Sequence, residues 1–113
     1  MNVQEHLPLT ETTFFIILSL APGPKHGYAI MKEVEALSDD RVRLSTGTLY
    51  GALKRMLESG WIDRLEKSEL TDDSRGRKAY RLTELGRRIL EAEMARLRRL
   101  VSLAELQTEW KKT

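Results

Sequence analysis

The stretch TGTLYGALKRMLESGWI, residues 46–62, decides how this chain is read. It reads as a helix from about Thr46 to Ser59, with Ser45 or Thr46 as N-cap and Gly60 placed as the C-terminal glycine. Leu49, Leu53, Met56 and Leu57 recur at helical spacing and form its core stripe. The opposite face carries Gly47, Gly51, Lys54, Arg55 and Glu58, with Tyr50 at its flank. Each exposed helical glycine costs about 1 kcal/mol relative to alanine, a cost that makes sense where the backbone must come close to another surface. Lys54 and Arg55 can reach phosphates or base edges, and Tyr50 can donate its hydroxyl to a phosphate. The hydroxyls of Ser45, Thr46 and Thr48, with the free N–H groups of the helix start, can hold a phosphate as well. A solvated amphipathic helix with incidental glycines is the plainer alternative.

The flanking segments give that helix its context. An almost wholly apolar helix is expected over Glu11–Leu20, capped by Thr10, with Phe14, Ile17, Leu18 and Ala21 on one face and Phe15 and Leu20 widening it. A helix this apolar belongs in the middle of a core. The run from Ala21 to Pro24 stops it. A second helix spans His26 to about Leu37, where Ile30, Met31, Val34 and Leu37 recur, and Ser38, Asp39 and Asp40 end it. Arg41 to Leu44 alternates charged and apolar residues, the pattern of a short strand. After the third helix come two strands, near Ile62–Glu66 and Ala79–Leu82, joined by a polar loop over residues 67–78. Arg75, Arg77 and Lys78 sit at this hairpin tip, where basic side chains can follow a phosphate backbone or enter a minor groove. A solvated basic loop is the alternative for a hairpin taken alone. Three helices followed at once by a basic hairpin is the order of a winged helix-turn-helix.

The last segment reads as one long helix from the N-cap Thr83 to about Lys112. At 1.5 Å per residue, roughly 30 residues extend ~45 Å, more than a core of this size needs. Leu90, Met94, Leu97, Val101 and Ala104 follow a heptad rhythm, and Leu100, Leu103, Leu106 and Trp110 add a second, adjacent stripe. One helix cannot bury both against a three-helix core, so a partner helix is expected. The fold class is therefore mainly α with a small β wing: a winged helix-turn-helix over residues 1–82 and a C-terminal dimerisation helix over residues 83–113.

Composition narrows the function classes. The 113 residues carry a formal charge of only +2, so the clustering of Arg75, Arg77, Lys78, Arg81, Arg87 and Arg88 says more than the total. There is no cysteine, which removes disulfides and zinc-thiolate sites and suits a reducing cytosol. No signal peptide and no membrane span is read, and a soluble cytoplasmic protein is expected. Catalysis needs a nucleophile, acid or base held in a pocket. His6, in an expected disordered leader, and His26, at a helix start, are the only histidines, and Glu33, Glu91 and Glu105 lie on solvated faces. No enzyme, metal site or cofactor is expected.

At these residues the chain resembles the PadR family of transcriptional regulators, whose short members pair a winged helix with one C-terminal dimerisation helix. Residues 46–62 resemble its GTLYPALKRLEEEGLI pattern, HGYAI at 26–30 its HGYEI, and RKAYRLTELG at 77–86 its RKYYRLTELG. The similarity runs from about Leu9 to Ile89. It departs at Gly51, where the family carries proline, and at Trp61, a large indole that belongs either to the core or to the dimer interface. The resemblance implies a repressor that binds a pseudo-palindromic operator in double-stranded DNA as a homodimer, released in some members by a planar aromatic compound bound between the subunits. It places DNA contact at Tyr28, Ser45, Thr46, Thr48, Tyr50, Lys54 and Arg55, and at Arg75, Arg77 and Lys78 in the wing. It places dimerisation at Leu90, Met94, Leu97, Val101 and Ala104. Trp110 either packs on the partner's core or forms half of an aromatic sandwich for the effector. The rival reading is a winged helix that binds protein alone, its Gly47/Gly51 face packed on another helix.

Overall fold

Side-chain hydroxyls begin three of the four helices where the sequence signals stand. The structure, a computed structural model, describes residues 2–65 and 78–112. Its helices are α1 (Glu11–Leu20), α2 (Gly27–Leu37), α3 (Thr46–Glu58) and α4 (Glu84–Gln107). Thr10 accepts from the Thr13 N–H at 3.1 Å, Ser45 from Thr48 at 3.1 Å, and Thr83 from Gly86 at 3.0 Å. Each bond satisfies one of the orphan donors of a first helical turn. Gly60 follows α3 at φ +79°, a left-handed conformation open to glycine at little cost.

The three strands form one antiparallel sheet in the order β1 (Lys25–His26), β3 (Ala79–Leu82), β2 (Ile62–Leu65). Ile62 faces Leu82 and Leu65 faces Ala79, so β2 and β3 are the two arms of the expected hairpin. The loop between them, with Arg75 and Arg77, lies outside the described residues. The third strand differs from the sequence reading. It lies at Lys25–His26, paired with Tyr80 and Ala79, and not at Arg41–Leu44. That segment keeps the expected alternation, with Leu44 buried and Arg41 and Arg43 exposed. Among the described residues, however, its backbone finds no strand beside it: the Val42 N–H donates to the hydroxyl of Ser38, after a turn in which Asp39 and Asp40 are both left-handed. Side-chain alternation reports burial, whereas a strand also needs a neighbour to bond.

α1 lies at the centre of the core, as its composition demands, but turned from the expected face. Ile16, Ile17 and Leu20 are its buried apolar residues, with Phe14, Phe15 and Leu18 half-buried and Ala21 exposed. A helix apolar almost all round has no contrast from which to read its orientation. Ile30 and Val34 of α2, Leu49, Leu53 and Met56 of α3, Ile62, Tyr80, and Ile89 and Leu90 of α4 complete the core. Leu90 thus corrects the expected interface: it is 5% exposed within its own protomer and has no surface left for a partner. Met94, Leu97, Val101, Ala104 and Trp110 are exposed, as are Leu100, Leu103 and Leu106. α4 ends at Gln107, and a 3-10 turn over Glu109–Lys112 replaces the expected continuous helix.

The N-terminal segment is also unlike its expectation. Val3–His6 forms a 3-10 turn whose His6 ring meets Trp61 edge-on, 5.3 Å between centroids. Trp61 packs half-buried against the core, and among the described residues its Nε1 has no hydrogen-bond partner. Further along, the Leu9 N–H donates at 3.1 Å to Glu93 of α4, a carboxylate 2% exposed that also accepts from Arg96 Nε at 2.6 Å and Nη2 at 2.9 Å. A buried charge is tolerable when paired and fully bonded, and here both oxygens are occupied.

Where α4 leaves the sheet, it is joined to the end of α3. The Trp61 carbonyl accepts from Thr83 N–H and Thr83 hydroxyl, both at 3.0 Å, while that hydroxyl also lies 2.6 Å from the Gly60 carbonyl. A Cβ on Gly86 would stand 2.1 Å from the same Trp61 oxygen. No side-chain rotation relieves a clash with backbone, so Gly86→Ala is expected to cost about 3 kcal/mol or more, read as a fall in urea midpoint at unchanged slope. Glu93 allows a second test. The Arg96 hydrogen bonds, opposed by burial and aided by the Leu9 N–H, hold its carboxyl below the usual value. A carboxyl depressed in the folded state adds stability above its unfolded pKa, and that stability disappears as pH falls through the folded pKa. Glu93→Gln is therefore expected to be less stable than the parent near neutral pH, with the difference shrinking as the medium is acidified below the ordinary carboxylate range. Urea midpoints across that range check it.

Candidate nucleic-acid interface

α3 stands with Leu49, Ala52, Leu53 and Met56 inward and with Thr46, Gly47, Thr48, Tyr50, Lys54, Arg55 and Glu58 exposed. A recognition helix must divide its surface this way, one side anchored on its own domain and the other free for a groove. At its start, Ser45 spends its hydroxyl locally: besides capping, it donates to Thr48 Oγ1 at 3.0 Å. That bond leaves the Thr48 hydroxyl hydrogen available to point outward. Arg55 lies back along the helix, its Nη1 3.7 Å from where a Cβ of residue 51 would be, so Gly51 leaves open the surface beside its guanidinium.

Three expected contact residues from three separate segments converge beside α3. Tyr28 at the start of α2, Tyr50 on α3 and Lys78 at the foot of β3 line one cleft of about 320 Å³ together with His26 and Gly27. Lys78 is exposed, as are Tyr28 at 64% and Tyr50 at 43%. The base of the wing is tied to this cleft: His26 Nδ1 lies 3.2 Å from the Lys78 carbonyl, in line with the β1–β3 pairing. Tyr50 can lean in because residue 27 is glycine, where a Cβ would come within 2.2 Å of its hydroxyl oxygen. Lys32 Nζ stands 5.9 Å from the Tyr28 ring centroid and 3.5 Å from Glu35 Oε1, so its charge at this edge is shared with a carboxylate. On β3, burial pushes the Tyr80 phenol above its ordinary pKa, with Tyr50 raising and Arg64 lowering it.

Every described residue assigned to DNA contact is thus exposed, and Tyr28, Tyr50 and Lys78 are brought together. Arg75 and Arg77 lie outside the described residues. Gly27, His26 and Lys32 were missed. The HGY motif held the signal for the first two, but their role emerges only from pairing with residues 50 and 78 far along the chain.

The sequence matches the Transcriptional regulator PadR-like family over residues 16–92. The chain belongs to that family. Its matched span begins within α1, takes in α2, α3 and the strands, and ends on α4 just before Glu93. A crystal structure of a PadR family transcription regulator from hypervirulent Clostridium difficile R20291 superposes with a TM-score of 0.68 at 29% identity, over 87% of this chain and 97% of that one. Bacillus subtilis PadR, solved in complex with operator DNA, shares the fold at a TM-score of 0.64 and 21% identity, over 77% of this chain and 47% of that one. A curated relative, an uncharacterized 37.1 kDa protein in transposon TN4556 of Streptomyces fradiae, is 36% identical over 91 residues. That match takes in 80% of this chain but only 24% of the relative's length. Among the described residues of this PadR-like chain, no helix is long and apolar enough to cross a membrane.

The glycines of α3 separate stability from contact. A Cβ at Gly47 meets nothing within 4 Å, and one at Gly51 meets only the Arg55 guanidinium at ordinary distance. Gly47→Ala and Gly51→Ala are each expected to raise stability by up to about 1 kcal/mol through helix propensity. If the backbone there approaches DNA closely, the same substitutions weaken duplex binding. Opposite signs in chemical denaturation and duplex titration check the assignment.

Proposed function

We propose that this PadR-like chain is a sequence-specific DNA-binding transcriptional regulator, acting as a homodimeric repressor on a pseudo-palindromic operator. The observation that carries this is the single exposed surface on which the outward face of α3 (Thr46, Thr48, Tyr50, Lys54, Arg55) continues into Tyr28 and Lys78. In the proposed complex α3 enters a major groove, where Lys54 and Arg55 meet phosphates or base edges. The hydroxyls of Tyr28, Tyr50, Thr46 and Thr48 meet phosphates, and Ser45 holds Thr48 in place. Arg75, Arg77 and Lys78 follow the backbone from the wing. Two such surfaces related by a twofold axis would read half-sites ~34 Å apart. The exposed stripe of Met94, Leu97, Val101 and Ala104, with Trp110 beyond it, supplies a surface for the second copy. Burying such side chains contributes on the order of 1 kcal/mol or more apiece.

Fluorescence anisotropy with duplex DNA from the chain's own upstream region tests the reading. The logarithm of the binding constant is expected to fall linearly with the logarithm of salt, by about 0.9 per phosphate neutralised. Changing Arg75, Arg77 and Lys78 together to Ala should reduce that slope by roughly 2–3. Lys54→Ala with Arg55→Ala should weaken operator binding by about tenfold or more without altering self-association. Binding that survives both sets would reject the DNA assignment in favour of a protein-only module.

A further inference from the structure

The hairpin strands carry two exposed arginines, Arg64 on β2 and Arg81 on β3, and the register sets them on opposite faces of the sheet. Directly opposed residues of an antiparallel pair point to the same side, and successive residues along a strand alternate. Arg64 stands across from Tyr80, and Arg81 across from Asp63. Tyr80 is buried in the core, as is Ile62 two residues before Arg64, so Arg64 lies on the face that packs against the helices. The helix beside β2 is α3. Tyr50 of α3 and Arg64 both act on the Tyr80 phenol, the first raising its pKa and the second lowering it, so both approach the same ring. Lys78, two residues before Tyr80, falls on this side as well, diagonal to Arg64 and within reach of a long side chain.

The other face has a different character. Arg81 lines a separate cleft with Leu20, Ala21, Gly23 and Arg87, none of them in α3, and the carboxylate of Asp63 shares its row. On the helix-facing side, neither Arg64 nor Lys78 is in an ion pair among the described residues. An exposed guanidinium is charged at every working pH, and with no acid beside it keeps its full attraction for an anion.

We infer that the DNA surface does not end at Lys78 but continues along the helix-facing side of β2 to Arg64, which binds a backbone phosphate, and that Arg81 takes no part. The inference rests on the DNA-binding reading above and adds to it a contact on β2 and a side of the hairpin. With α3 in a major groove, what passes along the flank of that helix is the wall of the groove, so Arg64 meets phosphate and not a base edge. The same orientation turns Asp63 away from the backbone, where its carboxylate would be repelled. Turning the hairpin over would bring Asp63 in and carry Arg64 out.

Anisotropy titrations with the upstream duplex and with a scrambled duplex of equal length, at about 50 and 200 mM salt, test this. One phosphate contact contributes about 0.9 to the salt slope, so the parent's advantage over Arg64→Ala is expected to shrink about 3.5-fold between the two salt concentrations, equally on both duplexes. Arg64→Lys keeps the charge and should keep the slope. Arg81→Ala should match the parent on both duplexes. All the substituted side chains are exposed, so circular dichroism should match the parent throughout. An unchanged slope in Arg64→Ala, a loss confined to the upstream duplex, a reduced slope in Arg64→Lys, or an equal loss in Arg81→Ala overturns the assignment and leaves the contacts of α3 standing. A parent protein that binds neither duplex overturns the DNA-binding reading, and this inference with it.

Discussion

The closeness of Gly86 to the Trp61 carbonyl is the constraint on which the arrangement of this molecule depends. At that point the last turn of α3, the entry to β2, the exit from β3 and the start of α4 meet within a few residues. Two donors of Thr83 close on the Trp61 oxygen, and no Cβ fits between helix and turn. α3, with its exposed Lys54 and Arg55, and α4 are joined there almost directly, through backbone. Their relative direction is thereby set by packing that cannot shift without breaking hydrogen bonds.

A second tie sits about two turns further along α4. Glu93 binds the N-terminal segment through Leu9 and is bonded in turn by Arg96, so α4 is held to that segment as well as to the turn at Trp61. Between these two points lie Ile89 and Leu90, packed into the core with α1. Beyond Glu93 the apolar side chains grow more exposed, from Met94 and Leu97, the latter still beside Phe14 and Phe15 of α1, to Val101 and Leu106. The change from buried to exposed at Glu93–Met94 divides α4 into a part that belongs to the winged helix and a part that does not. That division falls about ten residues later than a boundary drawn at the helix start.

Much of the local structure was legible because its signals are local. A hydroxyl two or three residues ahead of an N–H, or a glycine after the last periodic position, acts within a single turn, and Thr10, Ser45, Thr83 and Gly60 all behave as those signals require. The errors share the opposite character. The orientation of α1 depended on which neighbours closed over it. The strand at Lys25–His26 needed partners 55 and 53 residues away, Tyr80 and Ala79 of β3, and Arg41–Leu44, with the better alternation, had none among the described residues. His6 looked like part of a loose leader until Trp61 stood beside it. Leu90 fitted the heptad that continues through Met94 and Leu97, and periodicity alone could not say where along one stripe the core stops.

The candidate contact surface divides in the same way. Lys54, Arg55, Tyr50 and the hydroxyls at the start of α3 followed from one helix's own periodicity. The sequence by itself determined the four helices, the two arms of the hairpin, the helix caps, the exposed basic face of α3 and the excess of apolar residues on α4, because each of these depends on interactions across a few residues. Tertiary structure alone decided that Tyr28, Tyr50 and Lys78 share a cleft, that Gly27 makes room for a phenol, and that the free part of α4 begins after Glu93. Those are contacts between segments separated by 22 to 84 residues, whose relative placement is fixed only when the core closes around α1.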